Sequence, residues 1–176
     1  MAVVEVIKMG NPILRKVSEE VGLDKISSIE IQTLIDDLID TMHHFEGAGI
    51  AAPQIGILKR VFVIGLQSGN SRYPNKDPFD LLTVVNPEIE TINDEEIDSW
   101  EGCLSIPDIR GKLKRKKQVL LKGYDRDGQP FDRRLEGFAA IVAQHELDHL
   151  DGKLFIDQMK SMESLSFWEE YQKYWM

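Results

Sequence analysis

Residues 136–150 read EGFAAIVAQHELDHL, apolar nearly all round yet carrying two histidines and a glutamate. A helix of that composition is buried on every side, so other elements must wrap around it. Buried imidazoles and a buried carboxylate need partners, and a metal ion supplies them. His145 and His149 are four residues apart. On a helix this puts them on one face, one turn apart, within reach of a single metal ion. Glu146 lies beside them, where a carboxylate can handle the protons of a bound water. The pattern is H-E-x-x-H, the signature of metal-assisted hydrolysis. Asp151-Gly152 ends the helix, with Gly152 as a left-handed cap.

The elements that must surround this helix follow from the rest of the chain. Ala2–Lys8 has the composition of a short edge strand. Asn11-Pro12 opens a short helix over Pro12–Val17. Ser27-Ser28-Ile29-Glu30 reads as a capping box with Ser27 as N-cap. The apolar stripe Ile31, Leu34, Ile35, Leu38, Met42 and Phe45 predicts an amphipathic helix to about His44, with His43 and His44 as surface residues at its end. Gly47–Gly56 holds small residues, three glycines and a proline. It reads either as a tight helix-to-strand connection or as a backbone wall of a cleft with Gln54 facing in. Strands are predicted at Arg60–Leu66, Leu82–Val85, Glu88–Ile92, Gln118–Tyr124 and Pro130–Leu135. Asn86-Pro87 interrupts the third of these segments from the second, and Asp127-Gly128 marks a hairpin turn. Leu165, Trp168, Tyr171 and Trp175 recur at helical spacing in the tail, which packs on the body or docks elsewhere. An early helix, central short strands and a late helix define an α+β fold with a mostly antiparallel sheet around the buried H-E-x-x-H helix. The expected organisation is one domain over residues 1–160 and a helical tail over 161–176.

Composition narrows the function classes. No apolar run approaches the ~18–20 residues of a membrane span. The start, Met1-Ala2-Val3-Val4-Glu5, lacks the basic region and apolar core of a signal peptide, which predicts a cytoplasmic protein. A net charge of -9 argues against DNA binding. The basic run Lys112-Leu113-Lys114-Arg115-Lys116-Lys117 reads as a solvated edge strand or as an anion or RNA patch. Cys103 is the single cysteine, so no intramolecular disulfide forms.

Two histidines leave a tetrahedral metal one protein ligand short, with the fourth place for water. A third histidine in the pattern H-E-x-x-H-x-x-G-x-x-H would fall at 155, which is Phe155. Glu169 or Glu170 could serve from the tail, as in thermolysin-like proteases. Cys103, in Glu101-Gly102-Cys103-Leu104-Ser105, is the other candidate, because a thiolate binds zinc or ferrous iron well. Taken alone, a lone cysteine reads as structural.

Three motifs in fixed order resemble those of the peptide deformylases: Gly47-Ala48-Gly49-Ile50-Ala51-Ala52-Pro53-Gln54, then Glu101-Gly102-Cys103-Leu104-Ser105, then Gln144-His145-Glu146-Leu147-Asp148-His149. Asn11-Pro12-Ile13-Leu14-Arg15 and Tyr124-Asp125-Arg126-Asp127-Gly128 extend the resemblance, which spans about residues 3–160. It implies the α+β deformylase fold and removal of the formyl group from N-formylmethionine of nascent polypeptides, met at the ribosome. It implies one divalent metal ion on Cys103, His145 and His149, Fe2+ in the cell, with Zn2+ or Ni2+ able to occupy the site. It gives Glu146 proton transfer, and Gln54 and the Leu104 N–H the oxyanion. Phe138, Ile141 and Val142 are candidates for the methionine pocket, although they also read as core. Gly49 is a candidate for pairing with the peptide backbone and Arg110 for gripping the chain beyond. Gln144 and Asp148 are expected to orient a ligand or a loop. A monomer is expected. An H-E-x-x-H endoprotease and a non-catalytic metal protein are the competing readings.

Overall fold

The computed structural model describes residues 2–176; Met1, the first residue of the N-terminal stretch, lies outside them. Residues 2–8 carry no regular secondary structure and join no strand. Their donors go elsewhere: Val4 N–H to Thr41 Oγ1 and Ile7 N–H to the Gln54 carbonyl. Alternation of strand-forming residues did not reveal that these non-strand partners would take the donors. The expected short helix is a 3-10 turn over Pro12–Arg15, capped by the Asn11 side chain.

Helix α1 spans Ile29–His44 and buries Ile31, Leu34, Ile35, Leu38 and Met42. Its N-cap is Ser28, not Ser27: the Ser28 hydroxyl accepts from the Ile31 N–H at 3.4 Å. The turn before it, closed by Ser28 N–H on the Lys25 carbonyl, encloses Ser27 and leaves Ser28 at the boundary. Phe45 falls past the helix end and is exposed, as are His43 and His44.

Strands β1 (Gly49–Ala51), β2 (Val61–Leu66) and β3 (Phe79–Thr91) follow. β3 runs through Asn86-Pro87 rather than breaking there. Asn86 takes a φ of 51, the register shifts between Val85 and Glu88, and the Asn86 side chain bonds both backbone groups of Val21. A bulge is where a strand tolerates proline. β4 (Glu96–Cys103) and β5 (Ile106–Lys116) make a tight hairpin, then β6 (Gln118–Tyr124) and β7 (Pro130–Glu136) make another. Helix α2 spans Gly137–Leu150 and ends with Gly152 at φ 72. The tail forms β8 (Ser166–Phe167) and α3 (Trp168–Tyr174), so its helix is shorter than the aromatic spacing predicts.

The order β1-β2-β3-β6-β7 makes one antiparallel sheet, and β4-β5-β8 makes a second. This is the expected α+β architecture. α2 packs on the larger sheet through Ala140, Val142, Ala143 and Leu150, beside Phe62, Ile64 and Leu121. α1 closes a second core with Val61, Val63 and Val85. A third core joins Leu14, Ile106, Leu113, Leu154 and Phe155 around Cys103. Burying each such side chain contributes roughly 1.5–3 kcal/mol, so α2 is held from several sides and cannot shift without losing most of its packing. Among the described residues, no helix is long and apolar enough to cross a membrane.

The basic run is not simply solvated. Lys112 and Lys114 are exposed on β5, but Arg115 is 7% exposed and points inward. Alternation along a strand puts every second residue on the inner face, and a count of lysines and arginines hides that.

Candidate metal centre and active-site cleft

α2 delivers His145 and His149 one turn apart, their rings 5.0 Å between centroids. The β4–β5 hairpin delivers Cys103 from the opposite side: Cys103 pairs with Ile106, so the strand ends at the sulfur. Cys103 Sγ lies 3.2 Å from His149 Nε2. One ligand atom from each of Cys103, His145 and His149 lies within 4.8 Å of the others, and all three residues are buried. Burial pushes the Cys103 thiol up, but the facing imidazoles of His149 and His145 outweigh it and hold the thiol well below its usual range. Burial also opposes a charged His145, yet its hydrogen bonds to Cys103 and Glu101 raise its pKa well above that of an ordinary imidazole. Such a set competes for protons that a divalent cation would replace.

The donor chemistry fits such a cation. His145 Nδ1 bonds Glu101 Oε2 at 2.8 Å, which turns its other ring nitrogen toward the thiolate. Glu146 Oε2 is buried beside the set with no hydrogen-bond partner among the described residues. Phe155, at the position of a metzincin's third histidine, stacks on His145 with centroids 6.2 Å apart. Glu169 and Glu170 are exposed on α3 and do not join the group.

A buried ionic network braces this centre. Arg115 forks onto both Glu101 oxygens at 2.8 and 3.0 Å and reaches Asp148 at 2.6 Å. Burial pushes Glu101 up, but Arg115 and His145 prevail and bring its pKa to about 2. Glu101 and Arg115 were not singled out from the sequence. Glu101 stood inside a recognised motif, whereas Arg115 was masked by its lysine neighbours. Gln144 clamps α2 to β5 by bonding the N–H and carbonyl of Lys116, and Asp148 also accepts from Gln158. Removing one partner of a buried pair strands the other. Arg115→Ala is therefore expected to cost ~3–5 kcal/mol in unfolding free energy. A denaturant melt reads this, and an unchanged midpoint would show that Glu101 does not depend on Arg115.

Glu146 faces the cavity floor, and burial raises its pKa to about 7 against the pull of His145 and His149. It packs on bare backbone: a Cβ on Gly49 would sit 2.5 Å from Glu146 Oε1. The Gly47–Gln54 segment is thus both connection and cleft wall. Gln54 Oε1 accepts from Ala51 N–H at 2.8 Å, which fixes the amide and aims Nε2 at Cys103 Sγ, 3.5 Å away. Gln54, Leu104, Phe138, Ile141 and Val142 line one cavity with Cys103, His145 and Glu146. Arg110 lies outside it, in an adjoining groove that shares Arg72, Cys103 and Leu104. The sequence did not point to Arg72 or Tyr73, which come from the long loop before β3; Tyr73 closes on Phe138 with ring centroids 5.0 Å apart.

A cysteine and two histidines beside a buried glutamate, on an α+β scaffold, define the class of metal-dependent hydrolases. The Polypeptide deformylase family model matches residues 3–165. The peptide deformylase of Leptospira biflexa is 41% identical over 170 residues, covering 97% of this chain and 95% of the relative. Peptide deformylase 1 of Prochlorococcus marinus is 44% identical over 172 residues, covering 98% and 88%. Among solved structures, the Met-Ala-Ser-bound class I type b peptide deformylase of Acinetobacter baumannii superposes with a TM-score of 0.86 at 37% identity, covering 90% of this chain and 99% of that one. The chain belongs to the polypeptide deformylase family. It is an enzyme, a metal-dependent hydrolase that removes the N-formyl group from nascent peptides.

Proposed function

We propose that Cys103, His145 and His149 hold the catalytic cation, that Glu146 carries protons, and that Gln54 and the Leu104 N–H receive the oxyanion. The observation that carries this reading is the convergence of one sulfur and two imidazoles beside a buried Glu146 oxygen that has no partner among the described residues. We assign Fe2+ as the native metal on the family resemblance; the donor set also suits Zn2+ and Ni2+. When bound, the cation supplies Lewis-acid polarisation and lowers the pKa of a water.

The protein's own groups do the rest. Glu146, whose pKa burial raises to about 7, takes a proton from the attacking water as a carboxylate and, once protonated, returns it to the leaving amine. As the formyl carbon becomes tetrahedral, its oxygen gains charge. The Gln54 amide, locked by Ala51 N–H, is already aimed toward the centre, so no reorganisation is needed when that charge develops. Phe138, Ile141 and Val142 offer the methionine side chain an apolar wall in the same cavity. Gly49 lies on β1, an edge of its sheet, where an extended peptide can add as a further strand.

The setting we propose is a cytoplasmic monomer that meets its substrates at the ribosome, with residues 1–160 as the catalytic unit and 161–176 as an appended segment. Formate release from a formyl-Met-Ala peptide by anaerobically purified protein tests the activity. An endoprotease would instead cut internal bonds, and a non-catalytic metal protein would release nothing.

A further inference from the structure

Arg110 is 7% exposed, yet it makes no ion pair with any carboxylate among the described residues. Its Nη1 donates to the neighbouring Ile109 carbonyl at 3.0 Å. A buried guanidinium without an anion is costly, its fork matches a carboxylate, and carboxylates are the anions an unmodified peptide carries. The guanidinium is held from both sides. A Cβ on Gly102 would fall 2.1 Å from Arg110 Nη1, so one side rests on bare backbone next to Cys103. On another side, Arg110 Cζ lies 4.4 Å from the centre of the Trp168 ring.

Trp168 arrives there through the tail. β8 pairs Ile109 with Phe167 and Arg110 with Ser166, so α3 begins directly beside Arg110. The Ser164 hydroxyl accepts from Lys112 N–H, which pins the approach. Tyr171 and Trp175 pack on Trp100 at 4.9 and 5.4 Å, and Trp100 lines the catalytic cavity. The groove beside that cavity is lined by Lys8, Arg72 and Arg110 against a single acid, Asp108, with Trp168 and Gln172 closing it. On a chain of net charge -9, a cationic patch at the mouth of the site selects for negative charge.

We propose that the C-terminal segment is part of the substrate-binding apparatus, with Trp168 a positioning residue that holds Arg110 as a clamp for a peptide carboxylate beyond the methionine. This rests on the reading of Arg110 as the residue that grips the chain past the cleavage site. It adds that the tail sets the clamp and that the clamp reads charge.

Three substrates separate the outcomes: formyl-Met-Ala-Gln amide, formyl-Met-Ala-Glu amide and formyl-Met-Ala-Gln with a free C-terminus. The wild-type enzyme is expected to favour one or both carboxylate-bearing peptides by about fivefold in kcat/KM, through KM, in keeping with a modest charge-mediated contact. The Glu amide and the free acid distinguish a side-chain carboxylate from a terminal one. Added salt should erode the preference. Trp168→Ala should reduce it toward unity, and Trp168→Phe, which keeps a ring over the guanidinium, should restore most of it. A merely structural tail would change stability and leave the discrimination alone. Equal turnover of all three peptides by the wild type would overturn the clamp while leaving the deformylase reading intact. So would a Trp168→Ala variant with undiminished preference.

Discussion

Cys103→Ala is expected to give a folded protein that retains no stoichiometric metal after dialysis and releases no formate. The substitution removes one buried atom from a small apolar cluster with Leu14, Ile106 and Phe155, so the packing loss is slight. Its effect on the donor set is large. Cys103 is the one thiol of the three proposed donors, and its thiolate is favoured by both imidazoles. Losing only the hydrogen-bond partner of a ligand costs about 10–100-fold in metal affinity, and losing a ligand outright costs more. Metal analysis of the dialysed variant beside wild type is the measurement. A variant that kept both metal and activity would mean that the third ligand lies elsewhere.

Glu146→Gln separates metal binding from chemistry. Glutamine has the shape of glutamate, which matters because Gly49 leaves no room for a larger group against Glu146 Oε1. The neutral amide cannot accept and return a proton. A general acid–base group typically contributes 10²–10⁴-fold, so kcat should fall by about that factor while the metal stays bound. Loss of metal together with activity would instead make Glu146 a structural element of the site. Full retention of activity would assign the proton transfers to another group.

The α2 helix and its histidines were legible because periodicity, apolar content and H-E-x-x-H agree within one short stretch. β6, β7 and the Asp127-Gly128 turn were legible because the signals are local. The pairing of Cys103 with α2 was not legible from spacing, since contacts between residues 103 and 149 depend on how two sheets close around a helix; three ordered motifs supplied it through resemblance. Arg115 was lost for a different reason. Its burial is set by the alternation of β5 and by the partners Glu101 and Asp148, which no count of basic residues can reveal. The N-cap shifted by one residue because two adjacent serines carry the same chemistry. The tail was legible as aromatic packing, but its approach to Arg110 depends on the β5–β8 pairing, and two residues are too short a strand to announce themselves.

The most direct test of the whole account is product analysis of formyl-Met-Ala-Ser incubated with anaerobically purified, metal-analysed wild-type protein. The expected result is one formate released for each deformylated peptide, with the Met-Ala and Ala-Ser bonds intact. Internal fragments without formate would contradict it, and would return the H-E-x-x-H helix to the proteases.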